Sequence, residues 1–346
     1  LQIFATQGHH RENSQVGSES MVVLEGEKTL IARKKQRSFK ELGPLVALMS
    51  LAIFTTVLNP RFLTAFNLQA LGRQIAIFGL LAIGETFVII SGGGAIDLSP
   101  GSVVALTGVM VAWLMTHGVS VWISLFLILL FSLGIGAWHG VFVTKLKVPA
   151  FIITLGTLTI ARGMAAVITR GWPVINLPSS FLKIGQADFL KIPVPVWILI
   201  GVTLIADFFL RKTVYGKHLR ASGGNEIAAR FSGVNVDAVR TIAFMVSGFL
   251  AGLVGVIVAA RLSQGQPGVG SMYELYAIAS TVIGGTSLTG GEGSVLGAII
   301  GASIISLLWN ALVLLNVSTY WHNVVIGIVI VVAVTLDIVR RRFVSK

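Results

Sequence analysis

Long runs of apolar residues, each broken by a short polar or glycine-rich segment, fill the chain from residue 42 to residue 339. A hydrocarbon core of ~30 Å asks for about 20 apolar residues per helix. On that measure the pattern predicts spans near 42–59, 70–91, 101–116, 119–143, 149–170, 193–210, 241–261, 274–286, 293–316 and 320–339. The eighth is too short to cross unaided and is expected to be a broken or re-entrant helix. The fold class that follows is an all-α polytopic membrane protein with about ten transmembrane helices. The domain reading is a polar N-terminal tail at 1–41, a transmembrane domain at 42–339 with its long loop at 211–240, and a basic tail at 340–346.

The longest polar interruption, TVYGKHLRASGGNEIAARFSGVNVDAVR, runs from Thr213 to Arg240. Within it, Asn225 to Gly233 reads as a short amphipathic helix. Asn225 can cap it, Glu226 suits its positive N-terminal end, and Gly233 can end it. Ile227 and Phe231 stand four apart and share a face, with Ala228, Ala229 and Ser232 as small neighbours. Glu226 and Arg230 frame that apolar knob. A helix lying on lipid headgroups is the competing reading; docking into a protein is preferred, because so short a helix offers little area to a bilayer.

Composition agrees with the pattern. Of 346 residues 54% are hydrophobic and 12% charged, about half the charge of ordinary globular chains, and the mean hydropathy is +0.87. The net charge of +12 is placed by position. Seven Lys and Arg precede residue 42, Lys145 and Lys147 follow the fourth span, six lie between Arg211 and Arg240, and four follow Asp337. Four clusters separated by apolar spans are the positive-inside bias, which puts the long loop and both termini in the cytoplasm. Ten crossings from a cytoplasmic N-terminus give the same parity. No basic stripe is interleaved with stacking aromatics, so nucleic acid is not a partner. Trp172, Trp197, Tyr320 and Trp321 fall at span ends, as interfacial anchors do. The first 41 residues are expected to be disordered, without a cleavable signal, and Met21 rather than Leu1 is read as the true start.

Candidate chemistry is sparse. There are no cysteines, and His9, His10, His117, His139, His218 and His322 are scattered without metal-ligand spacing, so no metal and no bound cofactor is expected. Gly216-Lys217-His218 lacks the glycine-rich approach and following Ser or Thr of a P-loop. No nucleophile elbow occurs, and the chain is not expected to be an enzyme. Charges in membrane spans usually face a polar path or a partner. Asp207 and Asp337 sit at span ends beside basic clusters, and Glu292 lies in a glycine-rich loop. Glu85, Asp97, Thr154, Thr157, Arg162 and Glu274 remain as candidate translocation-pathway residues, with Thr159 a further hydroxyl. An internal ion pair of Arg162 with a carboxylate is an equal alternative. Glycines at four-residue spacing (Gly136–Gly140, Gly248–Gly252, Gly293–Gly297–Gly301) predict tight helix packing. One echo stands out: Gly92-Gly93 precede Gly101-Ser102-Val103 as Gly284-Gly285 precede Gly293-Ser294-Val295, the kind of repeat transporters place at a central site.

The Thr213–Arg240 stretch resembles the coupling loop of ATP-binding-cassette importer permeases, in which two alanines precede a glycine, here Ala228, Ala229 and Gly233. Five blocks in order, NPRFLTAFNLQALGRQ, GGGAIDLSPGSVVALTG, KLKVPAFIITLGTLTIARG, YGKHLRASGGNEIAARFSGVNV and YELYAIASTVIGGTSLTGGEGSVLGAIIG, are similar to monosaccharide permeases of the ribose type. The resemblance implies a permease subunit in a bacterial inner membrane, as a homodimer or paired with a sister permease. It implies ATPase subunits that bind ATP and Mg²⁺, a periplasmic sugar-binding protein, and Asn225–Val236 as the coupling helix. The alternative from another class is an ion-coupled secondary transporter using Glu85, Asp97 or Glu274.

Overall fold

A computed structural model describes residues 43–344; the expectations for residues 1–41 fall outside it. The architecture is helical throughout, apart from one two-stranded hairpin and an isolated bridge. In chain order the helices are α1 (Gly43–Leu58), α2 (Ala65–Ile90), α3 (Pro100–Thr116), α4 (Val121–Thr144), α5 (Ala150–Thr169), α6 (Ser179–Gln186), α7 (Val194–Lys212), α8 (Val214–Gly224), α9 (Glu226–Phe231), α10 (Val236–Leu262), α11 (Tyr273–Ile283), α12 (Val295–Leu314) and α13 (Thr319–Val344). A 3₁₀ turn, Pro60–Leu63, joins α1 to α2.

Each of the ten predicted spans meets a helix. Six of these, α2, α4, α5, α7, α10 and α12, are long and apolar enough to cross a bilayer. The chain is a multi-pass membrane protein. The expected short element is α11, with 11 residues, or roughly 16 Å of rise. The caps explain several starts: the Thr64 hydroxyl accepts from the Asn67 amide, Ser120 from Ile123, Ser294 from Gly297, and Pro100 begins α3.

Three elements were not expected. Helix α6 and the hairpin that follows it, Asp188–Phe189 with Ile192–Pro193, close the connection before α7. Helix α8 occupies the first part of the long loop, begun by the Thr213 hydroxyl accepting from the Gly216 amide. In addition, α2 and α10 begin five residues before their predicted spans, because the caps at Thr64 and Asn235 lie upstream of the apolar runs. Helix α13 continues through Val344, so residues 340–344 extend it.

The core is built on α2, α3 and α10, and 13 of the 17 residues of α3 are buried. In their most apolar stretches α2 and α10 bury 83% and 72% of residues, against 22%, 22% and 28% for α4, α5 and α7. The latter three leave most of those residues partly or fully exposed. Glycine stripes make the closest approaches, as their spacing predicts. Gly136 and Gly140 of α4 face the α10 backbone at Phe244–Met245 and Thr241, and Gly248 of α10 faces Ser132 and Gly136. Gly301 and Gly297 of α12 meet Ser280 and Gly284 at the end of α11. Helix α7 separates the α6–hairpin end of the molecule from the α8–α9 end.

Candidate functional site

The α9 helix forms where the pattern placed it. The Asn225 side chain accepts from the Ala228 amide at 2.9 Å, Glu226 occupies the first turn and Arg230 the last, and Gly233 follows at φ +83°. Ala229 is buried, whereas Ile227 and Phe231 are 70% and 89% exposed. Two adjacent large apolar side chains therefore project from a polar end of the protein.

Around this knob the charges are engaged rather than free. Arg230 donates to Glu226 at 2.9 Å and to Asp237 at 2.6 Å. Asp237 also receives Lys145 at 3.4 Å, with Lys147 at 4.0 Å. Arg240 is nearly buried and donates to Glu226 at 2.9 Å and to the Ser91 carbonyl at 3.3 Å. Partial burial would raise the Glu226 carboxyl, but the Arg240 and Arg230 guanidiniums outweigh it and hold the group below the usual carboxylate range.

The same end contains a glycine junction. The end of α8 meets the loop after α2 and the loop before α12. A Cβ on Gly223 would overlap the Ile90 carbonyl and the Gly291 amide, and these two are hydrogen-bonded to each other at 3.0 Å. Gly92 and Gly290, at φ +78° and +91°, face each other beside Gly223. The two segments of the sequence echo thus touch the same point on α8.

Within the membrane-spanning region the structure brings four of the six candidate pathway residues together. Asp97 ends the extended segment before α3, its amide donating to Glu85 Oε1 of α2 at 3.2 Å. Asp97 Oδ1 accepts from the Ser99 amide (2.9 Å) and hydroxyl (2.7 Å), and Oδ2 from the Ser247 hydroxyl of α10 at 2.8 Å. His139 of α4 places Nδ1 4.0 Å from Oδ2 and Nε2 2.8 Å from the Thr157 hydroxyl of α5. The Thr154 hydroxyl donates to the Ala150 carbonyl at 2.9 Å and reaches the Ile96 carbonyl at 3.4 Å. Glu85, Asp97 and His139 are wholly buried, and Glu85 Oε2 has no partner among the described residues.

Arg162 and Glu274 form a second locus. Arg162 donates to the Pro267 and Val269 carbonyls in the α10–α11 connection. Its charge also acts on Glu274, whose carboxylate packs on Gly101, but no contact of ion-pair length joins them. The ion pair weighed as an equal alternative for Arg162 is not formed; carbonyls of the α10–α11 connection accept from it instead. His139 and Ser247 were missed. A histidine in an apolar span, between Gly136 and Gly140, was itself the signal. No group of side chains suited to a metal ion occurs among the described residues.

The family described as branched-chain amino acid transport system / permease component matches residues 67–334. The chain is similar to the ribose import permease protein of Haemophilus influenzae, 43% identical over 307 residues, covering 88% of this chain and 93% of that protein. It is likewise 43% identical to the ribose import permease protein of Bacillus subtilis over 300 residues, covering 86% and 92%. It is 36% identical to the L-arabinose transport system permease protein of Escherichia coli K12 over 301 residues, covering 87% and 91%. No solved structure matches.

Proposed function

We propose that this chain, which belongs to the branched-chain amino acid transport system permease family, is the membrane-spanning subunit of an ATP-binding-cassette importer and carries a monosaccharide. The observation that carries this reading is the identity of 43%, sustained over 307 residues, with a ribose import permease. A polar end bearing Ile227 and Phe231 exposed supports it, because an apolar pair on so short a helix suits insertion into a groove of a partner protein.

In this reading Asn225–Gly233 seats in a separate ATPase, which binds ATP and Mg²⁺. A second permease, identical or sister, completes the path across the bacterial inner membrane. A soluble sugar-binding protein delivers the solute outside, and α9 and both termini face the cytoplasm. Closure of the ATPases displaces α9. The displacement passes through Gly223 to the loops after α2 and before α12, and through Arg240 to Ser91. Because α2 buries 83% of its most apolar stretch, motion there reaches the interior directly. Glu85, Asp97, Thr154, Thr157, Arg162 and Glu274 line or brace the path, and recognition rests with the receptor. The solute shifts the outward–inward balance only by its differential affinity for the two states.

The test is reconstitution of the permease with its ATPase and receptor in liposomes, followed by uptake of labelled D-ribose. The expected result is uptake that needs ATP and vanishes when the ATPase is omitted. Uptake by this chain alone, driven by a proton gradient, would overturn the proposal in favour of an ion-coupled carrier.

A further inference from the structure

Between the start of α2, the end of α10 and the second half of α12 lies a cleft of about 510 Å³, at the end of the molecule opposite α9. Its size is within the ~300–1,000 Å³ of small-molecule sites. None of the candidate pathway residues lines it. Its polar groups are Arg61 and Thr64 at the turn before α2, Asn67 and Gln74 of α2, Arg261 of α10, and Ser306 and Asn310 of α12, beside the ring of Trp309.

Ser306 is the informative residue. It is wholly buried, lines the cleft, and its hydroxyl has no partner among the described residues. Hydroxyls in apolar helices ordinarily bond back to the carbonyl four residues earlier, and the neighbours do so. Ser303 donates to Ile299 at 2.8 Å, and Ser280 and Thr281 of α11 to Tyr276 and Ala277 at 2.6 and 2.8 Å. An unmet buried hydroxyl is costly, and of the three such hydroxyls among the described residues, on Ser124, Thr286 and Ser306, only that of Ser306 belongs to a residue lining the cleft.

The other groups are held ready. Arg261 spends Nη1 on Gln74 Oε1 at 3.3 Å, which leaves the rest of its donor fork open. Asn310 is fixed by a reciprocal amide pair with Asn67 at 2.8 and 3.1 Å. Trp309 is braced edge-on by His322, with ring centroids 5.3 Å apart at 81°. The lining contains two arginines, Arg61 and Arg261, and no carboxylate, which disfavours a cationic ligand. A rigid aromatic face beside several separated hydrogen-bonding groups matches a molecule with an apolar ring face and hydroxyls around its edge.

We infer that this cleft is a binding subsite for a neutral polyhydroxylated ring, the first site a monosaccharide meets in the permease. The inference rests on the monosaccharide-importer reading and adds to it a location and a residue set. Trp309 stacks on the ring, Ser306 and Asn310 bond hydroxyls, and Arg261 engages a vicinal pair as a fork.

The test uses the permease–ATPase complex in nanodiscs, with D-ribose as the probe for equilibrium binding and ATP-driven uptake with the receptor for transport. Ser306→Ala and Arg261→Gln are expected to weaken ribose binding about tenfold each, and Trp309→Leu more. Val313→Trp, on the exposed rim, fills the cleft without touching a buried group and is expected to block binding and uptake even if the interior variants fold poorly. Wild-type binding and uptake in the Val313→Trp variant would overturn the subsite while leaving the importer reading intact. Displacement of ribose by inorganic phosphate or phosphatidylglycerol, but not by other monosaccharides, would identify an anion site instead. A wild-type complex that moves no monosaccharide with ATP would remove both.

Discussion

Helix α10 carries two clusters of ionisable groups about 15 Å apart, and the chain treats them in opposite ways. In its first turn, Asp237 and Arg240 join Glu226, Arg230, Lys145 and Lys147 in a network at the protein's edge. Further along, Ser247 reaches into the sealed group of Asp97, Glu85 and His139. The outer network pairs charge with charge where water competes, so each link contributes little. The inner one satisfies both oxygens of Asp97 with two hydroxyls and an amide, and Glu85 with one amide only, so each lost bond there leaves a buried group stranded. The outer cluster can therefore be altered without loss of the fold, which suits a docking surface. The inner one ties α2, α4, α5 and α10 into one geometry.

The largest effect is expected inside. Asp97→Leu strands the Ser99 amide, the Ser99 hydroxyl and the Ser247 hydroxyl, at about 1–3 kcal/mol each. A loss of roughly 3 kcal/mol or more is expected in thermal unfolding of the detergent-solubilised protein, with Asp97→Asn retaining an acceptor and recovering much of it. A wild-type melting curve for Asp97→Leu would erase the contrast between the clusters. Next comes the knob. Ile227→Asp combined with Phe231→Asp alters two exposed positions, so stability should stay within about 0.5 kcal/mol. Affinity for the ATPase is expected to fall about a hundredfold, as when apolar anchors are lost from an interface, and ATP-driven uptake with it. Co-purification of the ATPase at wild-type levels with the double variant would show that the outer cluster does not frame a docking surface.

The difference between the clusters also decides what the sequence could reveal. Spans were legible because lipid demands long apolar runs, and α9 because its cap, its first-turn acid and its terminating glycine are local signals. Glu85 and Asp97 stood out as acids in apolar surroundings. Their meeting did not, because it depends on how the Gly92–Gly94 turn folds the segment back against α2. His139 and Ser247 became partners only through the packing of α4 on α10, set by Gly136, Gly140 and Gly248. The charges of the long loop were legible one by one, but not the routing of Arg240 inward to Ser91. Helix α8 was hidden because its sequence, VYGKHLRASGG, carries three glycines and no clean apolar stripe.

Gly223 packs the end of α8 on the loops after α2 and before α12, and in the proposed mechanism it passes motion of α9 inward. Gly223→Val would push a side chain into the Ile90 carbonyl and the Gly291 amide, backbone groups that cannot rotate away. Overpacking of this kind costs about 1–3 kcal/mol. The melting temperature is expected to drop accordingly, and uptake to fall further than the knob's retained affinity for the ATPase would explain. Equal loss of uptake and of ATPase binding would mean that Gly223 acts only by holding α9 in place.

The smallest effect belongs to Glu226 and separates the clusters by pH. Its carboxyl is held below the usual range by Arg240 and Arg230 against the opposing pull of partial burial. A depressed folded-state value stabilises the protein above the unfolded value, and that stabilisation is lost as pH falls through the folded one. Glu226→Gln should therefore cost about 1 kcal/mol at neutral pH, because Arg230 is exposed and the Gln oxygen can still accept from the buried Arg240. The gap from wild type should begin to narrow as pH falls through the free carboxyl range and close below the depressed folded-state value. Unfolding curves of the two proteins from pH 7 to pH 3 measure it directly, and a constant gap would mean that Glu226 contributes through packing rather than through its charge.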